Sequence, residues 1–284
     1  MTGSLLQFRK NVFSQNGEDG ILEALLGAIG PLERVCCEFG AHDGVTFSNT
    51  RRLVMEGWKA IMIEADPLLF RKLKASYAAH PGVVCLNERV DVAEHRLDRI
   101  LDRAGLSELT SHLGFLSVDI DGLDSEILEA LTLQPCVLCI EVNGAHSPDA
   151  NKPIPCGVAA RNVGQPLAVM ARIAARKGYA LVCFNSNAFF VRRDLLDKSQ
   201  IPVLTPEHAY AEYLAALRQD EREWLYLENQ ALVPPFHAFT NPHLTRQSLG
   251  IRPARAVWLR AWSLRFRAAA WYRALRGHRV GGPS

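Results

Sequence analysis

The chain has 284 residues, a formal charge of +2, 48 % hydrophobic residues and a mean hydropathy of −0.01, so it can bury a sizeable core. Residues 252–284 hold eight arginines and no acids, which leaves everything before them net acidic and without the footprint of a nucleic-acid binder. Seven cysteines without framework spacing fit a reducing compartment. No apolar run approaches the ~20 residues needed to cross a bilayer, and Arg9 and Lys10 interrupt any leader-like start, so a cytoplasmic protein is expected.

Residues 1–33 read as an N-terminal cover: a polar turn, Ser14-Gln15-Asn16-Gly17-Glu18-Asp19-Gly20, then a short helix from Ile21 to about Ala28. From 34 to 200, strand and helix signals alternate. Strands are expected near 35–39, 59–64, 83–86, 114–119 and 136–142, and helices near 48–56, 67–79, 93–104, 124–131 and 166–177. That alternation predicts a doubly wound, mostly parallel α/β sheet with helices on both faces. Tyr179–Phe184 and Asn187–Arg192, joined by Asn185-Ser186, then read as an antiparallel hairpin. Cys136 and Cys139 form a C-x-x-C inside an apolar strand. Alternation sends them to opposite faces, and no second pair completes a zinc site, so they read as small buried hydrophobes.

Residues 201–251 form a helical extension, about Pro206 to Leu227, with loops at Pro234-Pro235 and Asn241-Pro242. The tail, 252–284, mixes its arginines with Trp258, Trp262, Phe266, Trp271 and Tyr272. Arginine with tryptophan on a helix suits a segment lying on an anionic membrane surface. Packing on the chain's own acidic body is the other reading, and both stay open.

The candidate site begins where the first strand ends, at Glu38-Phe39-Gly40-Ala41-His42-Asp43-Gly44. Gly40 and Gly44 permit a sharp turn and bring bare backbone close to a ligand. Glu64, at the end of the second strand, is placed to take both hydroxyls of a ribose, or else is simply a carboxylate exposed at a strand end. The dinucleotide pattern G-x-G-x-x-G is absent, and Glu38 and Asp43 would repel phosphate. Two carboxylates suit a sulfonium and a free amino group instead, both of which S-adenosylmethionine carries. Asp98 reads as a helix cap or as a carboxylate facing solvent on its helix.

Asp119, Asp121 and Asp124 follow the fourth strand, at the edge where open α/β sheets bind ligands. Asp119 and Asp121 point the same way in an extended segment, as a base for an acceptor hydroxyl or as Mg²⁺ ligands. Alternatively, Asp121 and Asp124 cap the helix that follows. Glu141 and Asn143, at the fifth strand's tip, flank the same cleft on the substrate side. The loop Gly144–Gly164 is long enough to be a lid and carries His146, either a general base of near-neutral pKa or a solvated side chain. His42 reads as a structural hydrogen-bonder beside the glycine turn.

Motif for motif, the chain resembles the FkbM-type methyltransferases over about residues 34–195. Their D-x-G-A-N-x-G is matched by Glu38 to Gly44, and their acid closely followed by proline by Glu64-Ala65-Asp66-Pro67. Their L-D pair before a helix is similar to Leu97-Asp98, and their D-x-E-G-x-E to Asp119-Ile120-Asp121-Gly122-Leu123-Asp124. Their I-E-V is matched by Ile140-Glu141-Val142. His42 stands where the family has asparagine, and Asp121 and Asp124 where it has glutamate. The resemblance implies a Rossmann-like methyltransferase sheet and S-adenosylmethionine as cofactor. Glu38, Gly40 and Gly44 would hold its methionine end, Glu64 its ribose, and Asp98 would meet the adenine edge. The implied reaction is in-line methyl transfer to a hydroxyl of a sugar, glycan or natural-product intermediate, in the cytoplasm or peripherally at the inner face of the membrane. A nicotinamide-dependent oxidoreductase and a non-catalytic binding domain of the same fold are the competing classes.

Overall fold

In the computed structural model, residues 3–30, 32–120, 123–144, 146–154, 164–197 and 199–217 are described. All belong to one compact unit, residues 1–158 with 163–222. The second unit, residues 159–162 with 223–284, lies outside the described residues, and with it the expected loops after 227 and the basic tail.

Seven strands form one sheet: β1 (Val35–Phe39), β2 (Lys59–Ile63), β3 (Val83–Leu86), β4 (Phe115–Val118), β5 (Val137–Glu141), β6 (Tyr179–Asn185) and β7 (Asn187–Arg192). Their order is β3-β2-β1-β4-β5-β7-β6. β1 to β5 run parallel, and β7 runs antiparallel between β5 and β6. The doubly wound sheet with its hairpin is therefore as the alternation predicts. The order reverses between β1 and β4, and the crevice at such a switch point is where open α/β sheets take their ligands.

The helices are α1 (Glu18–Ile29), α2 (Arg51–Met55), α3 (Pro67–Ser76), α4 (Leu97–Arg103), α5 (Ser107–Thr110), α6 (Asp124–Ala130), α7 (Leu167–Arg176) and α8 (Pro206–Ala216). Local chemistry sets their boundaries. Asp66 Oδ1 accepts from Leu68 N (2.7 Å) and Leu69 N (3.1 Å), with Pro67 in the first turn, so α3 starts where the Asp-Pro pair requires. α4 starts at Leu97 rather than 93 because Asp91 Oδ1 takes the amides of Ala93 and His95 in a turn of its own. α2 starts at Arg51 rather than 48 because Ser48, Asn49 and Thr50 are drawn to Glu38.

One sheet face, with Cys36, Met62, Phe115, Cys139 and Phe189, is covered by Leu5 and Leu6 of a short 3-10 helix and by Ile21, Leu22 and Leu25 of α1. The three α1 residues are at most 2 % exposed, and burying each contributes roughly 1.5–3 kcal/mol. α1 thus lies on the sheet with Glu18 of its first turn, and Asn16 just before it, reaching Asn187 and Asn185 of the hairpin of β6 and β7.

Candidate active site

At the tip of β1, Glu38 is 4 % exposed and faces its own loop. Its Oε2 accepts from Ser48 Oγ (2.7 Å) and Thr50 Oγ1 (2.6 Å), and its Oε1 from Asn49 N (2.8 Å). Burial pushes this carboxyl up from its ordinary value, while the hydrogen bonds from Thr50, Ser48 and Asn49 pull the other way. Glu38 therefore ties down the far end of the loop from Gly40 to Thr50. Gly40 and Gly44 both have positive φ, +76° and +74°. A Cβ on Gly40 would collide with the carbonyl oxygen of Asp119, and one on Gly44 would lie 2.5 Å from Tyr77 Cε2 and 2.6 Å from Leu73 Cδ1. Both glycines make room for the protein's own neighbours, β4 and α3.

Glu64, at the tip of β2, is 8 % exposed. Its Oε2 accepts from the backbone N–H of His42 at 2.8 Å, and its Oε1 from Asp66 N at 2.7 Å. His42 holds a left-handed conformation, φ 52°, which a non-glycine residue adopts at a cost. Its amide is thereby aimed at Glu64, so the structural role read for His42 lies in its backbone. Asp43 closes the next turn, taking Val45 N (3.0 Å), Thr46 N (2.7 Å) and Thr46 Oγ1 (2.9 Å). Burial opposes ionisation there, yet the amides of Thr46 and Val45, the Thr46 hydroxyl and the nearby His42 hold its carboxyl at about 2.

On the other side of the switch point, register aligns the strand tips. Phe39 pairs with Val118, Val118 with Ile140, and Glu141 with Asn187. Gly40, Asp119, Glu141 and Asn187 thus follow one another along the edge. Asp119 is exposed, Glu141 half-buried and Asn143 buried. The Asn143 amide donates to the Gln165 carbonyl at 3.1 Å. Gln165 also pairs twice with Ile154, its Oε1 accepting from Ile154 N and its Nε2 donating to Ile154 O, both at 2.8 Å. Gln165 thus ties the middle of the loop expected to act as a lid, through its side chain, and the residue before that loop, through its backbone carbonyl. In that loop burial lowers the pKa of His146 below its ordinary 6.5, and its Nε2 has no hydrogen-bond partner among the described residues. Asp124 is buried and accepts from Ile120 N at 3.2 Å, so it holds the loop before α6 rather than capping the helix. Asp121 lies outside the described residues.

Asp98 does not join this group. It forms a two-point pair with Arg96 (Nε–Oδ1 3.1 Å, Nη2–Oδ2 2.9 Å) beside Ala130, Leu131 and Thr132, after α6. Lys177 Nζ bonds Leu131 O at 2.7 Å, which sets this place near the start of β6, away from the tips of β1 and β2. Against the pull of burial, Arg96 holds the Asp98 carboxyl below its usual range. Asp98, expected at the adenine edge, is thus found in an ion pair with Arg96. Sequence reasoning passed over Asn87, whose Nδ2 donates to the carbonyls of Glu64 (2.7 Å) and Ala65 (3.2 Å). The rule that found Glu64, a polar residue just past an apolar strand, finds Asn87 after β3 as well.

No family model matches the chain, and no curated protein sequence matches it. Among solved structures, the chain is similar to monomeric WbdD, at 14 % identity and a TM-score of 0.38, covering 61 % of this chain and 38 % of that one. It is similar to a TehB-like SAM-dependent methyltransferase from Corynebacterium glutamicum at 12 % identity and a TM-score of 0.39, covering 64 % and 89 %. It is also similar to the N-terminal domain of EvdMO1 with SAH bound, at 12 % and 0.40, covering 63 % and 80 %. Likenesses this slight assign no activity to the chain.

Proposed function

We propose that the chain is an S-adenosylmethionine-dependent methyltransferase of FkbM type that methylates a hydroxyl oxygen of a sugar, glycan or natural-product intermediate. The observation that carries the reading is Glu64, reaching from β2 to the His42 amide beside the switch point between β1 and β4. Each of its oxygens accepts one backbone hydrogen bond and has a second acceptor position left, which suits a pair of ribose hydroxyls. When bound, S-adenosylmethionine would supply an electrophilic methyl group. Glu64 holds its ribose end, and the Gly40–Gly44 turn, fixed by Glu38, lines its amino-acid end. Asp119 receives the proton of the acceptor hydroxyl, with His146, kept neutral by burial, as the second proton acceptor. Holding the two reactants in attack geometry supplies roughly 7–11 kcal/mol of the barrier.

Among the described residues no three His, Cys, Asp or Glu side chains are grouped to hold a metal, and Asp121 lies outside them; Asp119 is proposed as a proton acceptor. Asp119→Asn should leave S-adenosylhomocysteine binding intact and lower transfer of a labelled methyl group roughly 10²-fold. Full activity in that variant, or tighter binding of NAD⁺ than of S-adenosylhomocysteine by the parent protein, overturns the proposal.

No helix among the described residues is long and apolar enough to cross a membrane. The basic tail is proposed to attach the enzyme to an anionic membrane surface, which would suit a lipid-linked acceptor. The intact chain should then sediment with anionic vesicles, and a chain truncated before Arg252 should not; an intact chain left in the supernatant removes this part.

A further inference from the structure

We propose that Asn187, at the start of β7, recognises the acceptor: its side-chain carbonyl receives a hydrogen bond from a hydroxyl of a polyhydroxylated substrate, and Glu18 of α1 is the positioning residue that aims it. This rests on the methyltransferase reading and names a substrate-side residue for it.

Asn187 is the cross-strand partner of Glu141, so it extends the row of strand-tip residues that begins with Gly40 and Asp119. Its Nδ2 donates to Glu18 Oε1 at 3.0 Å. The NH₂ end of the amide is therefore turned to Glu18, and its carbonyl the other way. No described residue donates to that carbonyl, and the residue keeps 8 % exposure.

Glu18 is itself elaborately held. It is 1 % exposed, and its Oε2 accepts from Asn16 N at 2.7 Å. Asn16 in turn takes Asn185 Nδ2 on its carbonyl at 2.6 Å, from the other strand of the hairpin. The neighbouring Asp19 gathers the amides of Val12, Phe13 and Ser14, each at 2.8 Å, and the Ser14 hydroxyl at 2.7 Å onto one oxygen. The polar turn singled out in the sequence is thus a frame that delivers a carboxylate to Asn187. Burying a carboxylate costs several kcal/mol that its partners must offset, and a turn serving only to cover the sheet has no need of one.

The chemistry of the row selects the substrate class. Asp119, Glu141 and the Asn187 carbonyl are all acceptors, so a ligand lying along them should present donors side by side, as adjacent sugar hydroxyls do. A site built to bond a hydroxyl discriminates strongly against an analogue lacking it, because its own polar groups are then left unpaired.

The test uses the full chain with labelled S-adenosylmethionine and three probes: methyl glucoside, cyclohexanol and a primary alkylamine. Binding of S-adenosylhomocysteine is measured first, and its absence would fell the methyltransferase reading and this inference with it. With binding intact, methyl glucoside should be the preferred probe. Asn187→Leu and Asn187→Ala should raise its KM about tenfold, the loss of one hydrogen bond, with the KM for S-adenosylmethionine unchanged. Glu18→Leu should do the same, while Glu18→Gln, which still offers an oxygen to the Asn187 amide, should stay within about threefold. An unaltered glucoside KM in both Asn187 variants, equal damage from Glu18→Gln and Glu18→Leu, preference for cyclohexanol or the amine, or no glucoside turnover at all would each overturn the assignment without touching the cofactor reading.

Discussion

The two halves of the candidate site are held together differently. At the tips of β1 and β2 the bonds are short in sequence: Glu38 to Ser48, Asn49 and Thr50, Asp43 to Val45 and Thr46, Glu64 to Asp66 and His42. At the tips of β5, β6 and β7 they join ends of the chain. Glu18 meets Asn187 and Asn16 meets Asn185, both 169 positions apart; Arg9 donates to the Ala216 carbonyl and Ser4 to Glu212, 207 and 208 positions apart. The first half is a set of turns around a parallel sheet, joined to one another by bonds that span at most 68 positions. The second exists only when the N-terminal segment, the hairpin and α8 have docked. In the function proposed, a cofactor common to many enzymes would be served by the local half, and the half that would face a particular acceptor is assembled from distant pieces.

The comparison breaks most readily at Glu38. Glu38→Ala should destabilise the chain by on the order of 4 kcal/mol, since it orphans the buried donors of Ser48, Asn49 and Thr50. Urea unfolding should show this together with weakened S-adenosylhomocysteine binding, because the loop lining the cofactor loses its anchor. Asp19→Ala should cost less, about 2–3 kcal/mol, because Val12 and its neighbours reach water once released. The sharpening outcome is that Asp19→Ala leaves S-adenosylhomocysteine affinity within about twofold. If both variants weaken the cofactor equally, the two halves are one cooperative unit and the contrast is lost.

This division also explains what could be read from the sequence. The strands and the hairpin were legible because apolar runs are local patterns, and so was the place of Glu64 just past β2: β1, β3 and β7 fall on their expected residues, and the other strands within one position at either end. The α2 boundary was missed because Ser48, Asn49 and Thr50 suit a helix start until a buried glutamate ten residues earlier claims them. Glu18 and Asn187 could not be found at all from spacing: each looks like an ordinary turn residue, and only register and docking bring them within 3.0 Å. The Arg96 partner of Asp98 was overlooked although it lies only two residues away, because a Leu-Asp pair before a helix does not name it.

A smaller effect comes from pH. Burial raises the pKa of Glu18 above the ordinary 4.5. The folded state therefore binds more protons than the unfolded one above that pH, so stability is full below about 4.5 and declines as pH rises through the folded value. Glu18→Gln should remove that part of the decline, so its stability relative to the parent should be better at pH 7 than at pH 4. Denaturant midpoints at the two values read this directly. An identical pH dependence in both proteins would mean that Glu18 titrates normally and that its burial is not as described.

The most direct measurement is calorimetric titration of the intact protein and Glu64→Ala with S-adenosylhomocysteine and with NAD⁺. The account predicts that S-adenosylhomocysteine binds, that Glu64→Ala weakens it by ~1.5–3 kcal/mol as expected for hydrogen bonds to a charged group, and that NAD⁺ binds neither protein. Binding of NAD⁺ in preference, no binding of S-adenosylhomocysteine, or equal affinity in a folded Glu64→Ala variant would contradict it.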